Sequence, residues 1–440
     1  MKGVSEMAPT VQFNRDKFFR VFEDHLTAVR NMGEAMESIG DPRDVCVVKA
    51  MKAAEIYLQD ILTAVDTGKK FLWHEFLFLP ELFMGFPGVQ PYMSETLTGF
   101  LCLIEPEGLT PYIDAARNIG LPPDICPTDS GLLGCVLEEI QPPAHVIVSP
   151  TTPCDSALCA YQIIQKLMDV PVVYCDTPYW HDERSVDLYA RQIWNMIRQV
   201  EEILGVRMDW DKCREHIRIA NESMELFYAE GEMRKLKPCP HPGKLPFYHF
   251  LFFEVASGTD YLLDVCKFII EDSRKLAAAK KGAVQDERIR LLLYNPDPVY
   301  DTGIHDWLED EYKAITAMTL FGHPTATFID PTTPETIVRD YAWKMMNICM
   351  ARQYRGPHEY FVDDMIAAID GWDVDAVIVT AHIPCKHGQG AHGFIRQACR
   401  ERDKPLLVHE IDVQDPRPVS IDKTREAVAE FLETQVLPYK

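Results

Sequence analysis

The sequence predicts an α/β protein: two flavodoxin- or Rossmann-like parallel-sheet lobes joined by helices, with a helical N-terminal segment. Three observations carry this. Short apolar runs alternate with helical stretches over residues 67–184 and again over 286–440. The runs HVIVSP and PVVYCD flank the helical stretch ALCAYQIIQKLMD, a strand–helix–strand spacing that requires parallel strands. The chain has 440 residues, room for about three folding units.

Taken in order, residues 1–66 form the helical N-terminal segment, where Phe18, Val21, Phe22, Leu26 and Val29 recur on one face. The first lobe, 67–184, takes FLWHEF, GFLCLIE, HVIVSP and PVVYCD as strands. A helical connecting region, 185–285, follows, with helices from about Ser185 to Glu230 and from about Tyr248 to Lys281. Between them the polar, proline-bearing GEMRKLKPCPHPGKLP reads as a surface connection. The second lobe, 286–440, takes RIRLLLYN, ATFID, DAVIVT and KPLLVHEI as strands and closes on a helix from about Ser420 to Thr434. No internal repeat stands out.

Composition narrows function. Hydrophobic residues make up 47% and charged ones 25%, an ordinary globular balance. Lys plus Arg is 44 against 67 for Asp plus Glu, a net charge of −23. That field repels phosphate chains, which argues against nucleic-acid partners and anionic membranes. No run approaches the roughly 18 residues that span a bilayer, and MKGVSEMAPTVQFNRDKFF lacks the apolar core of an export signal. A cytoplasmic protein is expected. The 13 cysteines then read as reduced thiols or metal ligands rather than a disulfide framework.

Familiar motifs are missing. There is no GxGxxG after a strand, no GxxxxGK[ST], no HExxH, no CxxC and no GxSxG. The glycines of HGQGAHGF sit between the strand DAVIVT and a following helix, where a flexible turn would explain them. Sorting the cysteines by setting is more informative. Cys126 in LPPDICPTDSGLLG, Cys154 in SPTTPCDSALCAY and Cys385 in VTAHIPCKHGQG each precede a helix. Loops leaving the carboxyl ends of parallel strands converge on one crevice, and a helix N-terminus there favours thiolate. Cys102, Cys135, Cys159, Cys175, Cys266, Cys349 and Cys399 fall in apolar strand or helix runs and read as packing residues. Three loop cysteines could bind zinc, but an iron–sulfur cluster suits soft thiolates better and would leave one iron open.

With these residues in view, the chain resembles the 2-hydroxyacyl-CoA dehydratase and benzoyl-CoA reductase family over roughly residues 66–435. The resemblance rests on FLPELFMGFPGVQPY, which is similar to the family's proline–glutamate segment, and on PPDICPTDSGLLG, SPTTPCDS and PVVYCDTPYW. It extends to DAVIVTAHIPCKHG and HEIDVQDPRPVSIDKTREAVAEFLE. It implies a [4Fe-4S] cluster, one per chain, held by Cys126, Cys154 and Cys385 with one iron open. It also implies a homologous cluster-bearing partner subunit, as heterodimer or homodimer, and an ATP-hydrolysing iron–sulfur activator. The substrate would be an acyl-CoA thioester, reduced by one electron to a ketyl-type radical.

The expected function is the iron–sulfur subunit of an ATP-driven, low-potential reductase of the benzoyl-CoA reductase type, acting on an aromatic or related acyl-CoA. The more aromatic WHEF segment before Pro80-Glu81 favours a flat acyl group, although Phe76 and Phe78 are read first as core residues. The alternatives are a 2-hydroxyacyl-CoA dehydratase subunit, a non-catalytic electron relay, or a double-cubane relative using Cys159 or Cys135 as well. Proton supply must come from the cysteine loops or the proline–glutamate segment. His382 and Glu81 are the candidate catalytic acids, with His387 and His392 further possibilities. For His382 the competing role is a hydrogen bond to a cluster sulfur, and for Glu81 a charge complementing a helix N-terminus.

Overall fold

Eight strands build two four-stranded sheets in this computed structural model, which describes residues 11–322 and 325–440. Residues 1–10, the start of the expected N-terminal segment, and 323–324 lie outside the described residues. The first sheet contains β1 (Lys70–His74), β2 (Val89–Met93), β3 (Val146–Pro150) and β4 (Val172–Cys175) in the order β2-β1-β3-β4. The second contains β5 (Ile289–Tyr294), β6 (Ala314–Thr319), β7 (Ala376–His382) and β8 (Leu406–Ile411) in the order β6-β5-β7-β8. Every pairing is parallel. The two lobes therefore repeat one topology, which the sequence does not betray as a repeat. In each, the strand order reverses beside the first strand, the place where open α/β sheets bind ligands.

The strands are apolar because both faces are covered. All residues of β3, β5 and β7 are buried. On β5, Leu292 and Tyr294 join one hydrophobic cluster with Val377 and Val379, while Leu291 and Leu293 join another with Ile304 and Phe431. The alternation is the two-residue period of a strand. The expected N-terminal helix is two helices, Arg15–Ile39 and Val45–Asp66, with Phe18, Phe22 and Val29 buried. The connecting helices are four: Glu183–Leu204, Trp210–Met233, Leu245–Ala256 and Asp260–Ala278. Gly205, at φ 63°, adopts the left-handed conformation that ends the first of them.

Four sequence expectations are corrected. GFLCLIE belongs to the helix Thr96–Ile104, since a short apolar run alone does not separate strand from buried helix. The strand is instead VQPYM, whose proline is tolerated because β2 lies at the sheet edge. ATFID is not a strand either: the Asn221 amide takes both backbone groups of Ile329, at 2.8 and 3.0 Å, where a neighbouring strand would have done so. AITAMT, β6, fills that place in the sheet.

The third correction concerns residues 231–246, which are not a surface connection. Arg234, Cys239, His241 and Lys244 are buried. The Arg234 guanidinium donates to Ala317 O (3.0 Å) and Thr316 O (2.7 Å), covering the open edge of β6. The fourth is the glycine-rich HGQGAHG, which is no turn but the beginning of the helix Lys386–Glu401.

Candidate cofactor site

Each of the three singled-out cysteines is a helix N-cap. Cys126 caps Pro127–Leu137, Cys154 caps Asp155–Met168 and Cys385 caps Lys386–Glu401. The cap geometry turns sulfur towards the first-turn N–H groups: Ala157 N donates to Cys154 Sγ and Gly388 N to Cys385 Sγ, both at 3.4 Å. Gly388 matters here, because a Cβ on it would lie 3.2 Å from Asn295 Nδ2 and 3.5 Å from the same sulfur. Cys154 and Cys385 leave the ends of β3 and β7. Cys126 does not follow a strand directly; it enters the crevice from the helical segment between β2 and β3.

All three sulfurs line one cavity of about 200 Å³ between the lobes, together with His382, Asp129 and Glu95. Phe76, Phe247 and Phe250 form part of its wall, so Phe76 faces the cavity while Phe78 packs in the core. Lys386 reaches from the Cys385 helix to Asp155 beside Cys154, at 3.1 Å, and Thr128 Oγ1 donates to Gln414 Oε1 at 2.8 Å. These contacts bring elements of both lobes to the same rim.

His382 sits against the thiols. Val413 N–H donates to its Nδ1 at 3.3 Å, which places the ring proton on Nε2, 3.4 Å from Cys126 Sγ. Burial pushes its pKa down to about 3, so the neutral ring is a hydrogen-bond donor to sulfur rather than an acid near neutrality. Glu81 is elsewhere: it is fully buried, accepts from Lys344 Nζ at 2.7 Å and does not line the cavity. His387 lines the cavity and His392 does not.

Four buried carboxyl groups escaped the sequence reading. Glu95 accepts from Tyr161 OH (2.5 Å) and Ser94 Oγ (3.0 Å), and burial raises it to about 7 against those hydrogen bonds. Asp129, next to Cys154 at 3.7 Å, and Glu75 are held well above the carboxylate range by burial and then by the charge of Glu95. Glu254 is raised by burial and by Glu81. One oxygen each of Asp129, Glu75 and Glu254 has no hydrogen-bond partner. An acidic residue three positions after a cap cysteine, as Asp129 is after Cys126, was the available signal.

Burial likewise raises all three cap thiols, against the thiolate expectation; the helix N–H groups offset it only in part. These thiols would therefore ionise only where a bound metal displaces their protons. The donor set also limits what that cation is. Zinc–sulfur bonds of about 2.3 Å hold two sulfurs within about 4.6 Å of each other. The three sulfurs do not all lie within 4.8 Å of one another. A polynuclear cluster, with each thiolate on a different metal atom, fits this spread and this softness. Cys135 is fully buried off the cavity, and Cys159, half-buried, does not line it either.

The model of the family described as 2-hydroxyglutaryl-CoA dehydratase, D-component, matches residues 80–434. The chain belongs to this family. Among its relatives, the (R)-phenyllactyl-CoA dehydratase alpha subunit of Clostridium sporogenes is 23% identical over 274 residues, 60% of this chain and 64% of that protein. The chain thus spans less than two thirds of that relative's length. The lactoyl-CoA dehydratase subunit alpha of Anaerotignum propionicum is 27% identical over 27% of this chain and 29% of its own. The (R)-2-hydroxyglutaryl-CoA dehydratase subunit alpha of Acidaminococcus fermentans is 28% identical over 24% and 23%. The family match covers all three cap cysteines. Among the described residues, no helix is long and apolar enough to cross a membrane.

Proposed function

We propose that this chain is the cluster-bearing subunit of a 2-hydroxyacyl-CoA dehydratase. It would work with a homologous second subunit and an ATP-hydrolysing iron–sulfur activator. The observation that carries the reading is the convergence of Cys126, Cys154 and Cys385, from both lobes, on one apolar cavity. The names of the relatives favour dehydration over the net reduction that the aromatic segment suggested. When bound, a [4Fe-4S] cluster supplies low-potential single electrons and an open iron for a thioester carbonyl.

The chain's own residues do the rest. Phe76, Phe247 and Phe250 exclude water from the acyl group and strengthen every polar interaction inside. Loss of water from a 2-hydroxyacyl thioester needs a proton for the departing hydroxide and a base for the proton on the neighbouring carbon. Asp129, held protonated by burial and the charge of Glu95, would give the first; Glu95, raised only to about 7, or the Asp129 carboxylate so formed would be the base. Ser94 and Tyr161, whose oxygens lie 2.5 Å apart, both donate to the Glu95 carboxyl and hold it in place. His382 Nε2–H stabilises negative charge on the Cys126 sulfur. Asp129→Asn and Glu95→Gln are each expected to keep the iron content and lower turnover by about a hundredfold.

Net reduction of an aromatic acyl-CoA is the second reading, favoured by the aromatic cavity wall. Anaerobic reconstitution with the second subunit and activator separates the two. Dehydration of an (R)-2-hydroxyacyl-CoA with catalytic electrons is the expected result. Electron use in proportion to product, with benzoyl-CoA consumed, would establish reduction. A loaded cluster whose spectra ignore every thioester would make the chain an electron relay.

A further inference from the structure

The connection that proved buried contains a second cluster of metal-ligating groups, away from the cavity. Cys46 lies in the first turn of the helix Val45–Asp66, His241 on the connection 231–246, and Asp272 on the helix Asp260–Ala278. One donor atom from each lies within 4.8 Å of the others. We propose that Cys46, His241 and Asp272 hold a zinc(II) ion that ties this connection to the two helices, independent of the cofactor proposed above.

The distances suit a mononuclear ion. Tetrahedral zinc with a sulfur at about 2.3 Å and a nitrogen at about 2.1 Å separates the two donors by about 3.6 Å. Cys46 Sγ lies 3.8 Å from His241 Nδ1 and 3.9 Å from Nε2. His241 Nε2 also faces Ile269 O at 3.4 Å, the carbonyl contact that typically orients a ligating imidazole and here leaves Nδ1 for the metal. Cys46 and His241 are buried, while Asp272 is half-buried, which gives the ion a route in and a water for its fourth position. Asp272 makes no hydrogen bond or ion pair among the described residues, and Lys275 on the same helix is paired with Glu271 at 2.8 Å.

The surroundings hold the ligands and balance the charge. Arg234 donates to the carbonyls of His241 (3.4 Å) and Pro242 (3.3 Å), fixing the loop that carries the imidazole. Its own charge is met by Glu230 at 3.3 Å. A Cys46 thiolate and the Asp272 carboxylate then neutralise the two charges of zinc. Burial and the charges of Asp272 and Glu230 raise the Cys46 thiol, so its proton has to be displaced by the metal itself. Cys239 turns its sulfur to His241 O at 3.4 Å and stays outside the ligand set.

Elemental analysis of the full chain, purified anaerobically without added chelator, tests this. About one zinc per chain is expected alongside the iron. Cys46→Ser and His241→Gln are expected to lose the zinc and keep the iron; Cys126→Ser should do the reverse. If the two buried variants do not fold, Asp272→Asn, at the half-buried position, should fold normally and weaken zinc binding about tenfold or more. Cobalt(II) added to zinc-stripped protein should give a thiolate charge-transfer band that Cys46→Ser or Asp272→Asn weakens and Cys126→Ser leaves. Wild-type protein without zinc and without that band, or zinc held unchanged in both Cys46→Ser and Asp272→Asn, would overturn the proposal.

Discussion

Cys126→Ser, Cys154→Ser or Cys385→Ser should each strip most of the bound iron and abolish turnover, whereas Cys266→Ser and Cys349→Ser should keep both. The first three sulfurs cap helices around one cavity. The other two are buried in packed elements, Cys266 beside His249 Nε2 at 3.1 Å and Cys349 against Phe321 O at 3.4 Å. A serine hydroxyl is a harder and far less acidic donor than a thiol, so the exchange removes affinity without removing much volume. Iron counting and spin-resonance spectra of anaerobically purified variants provide the check. Full iron retention in any one of the first three would take that residue out of the ligand set.

The second large effect is on stability. Lys344 and Glu81 form an ion pair at 2.7 Å with both side chains fully buried. Removing one member leaves the other charged and unpaired away from water, a loss of about 3–5 kcal/mol. Against a typical total of about 5–15 kcal/mol, Lys344→Met should therefore lower the urea midpoint severely. Glu81→Met together with Lys344→Met removes both charges and should recover most of the loss. The series also separates two roles for Glu81. If Lys344→Met is as stable as the parent and Glu81→Gln loses turnover alone, Glu81 serves as an acid; the ion pair makes the opposite outcome the expected one.

The sequence by itself carried the class of fold, most strands and the three cysteines. β3, β5 and β7 are legible because both their faces are buried, so most of their residues are apolar. The cysteines were legible because a cap residue announces itself locally, by the helix that begins after it. Tertiary structure decided what local pattern does not encode. VQPYM becomes a strand through its place at an edge, and ATFID loses that place because one amide, Asn221, satisfies the backbone of Ile329. GEMRKLKPCPHPGKLP reads as polar, yet Arg234, Cys239, His241 and Lys244 within it are buried, and Arg234 closes the edge of β6. Nothing in the sequence around Glu81, in FLPELF, or Glu95, in YMSETL, separates their roles. Only packing sets one against a lysine 263 positions away and the other against Tyr161 at the cavity. Charge and proton affinity at a buried group depend on neighbours distant in the chain, and those neighbours exist only once the chain has folded.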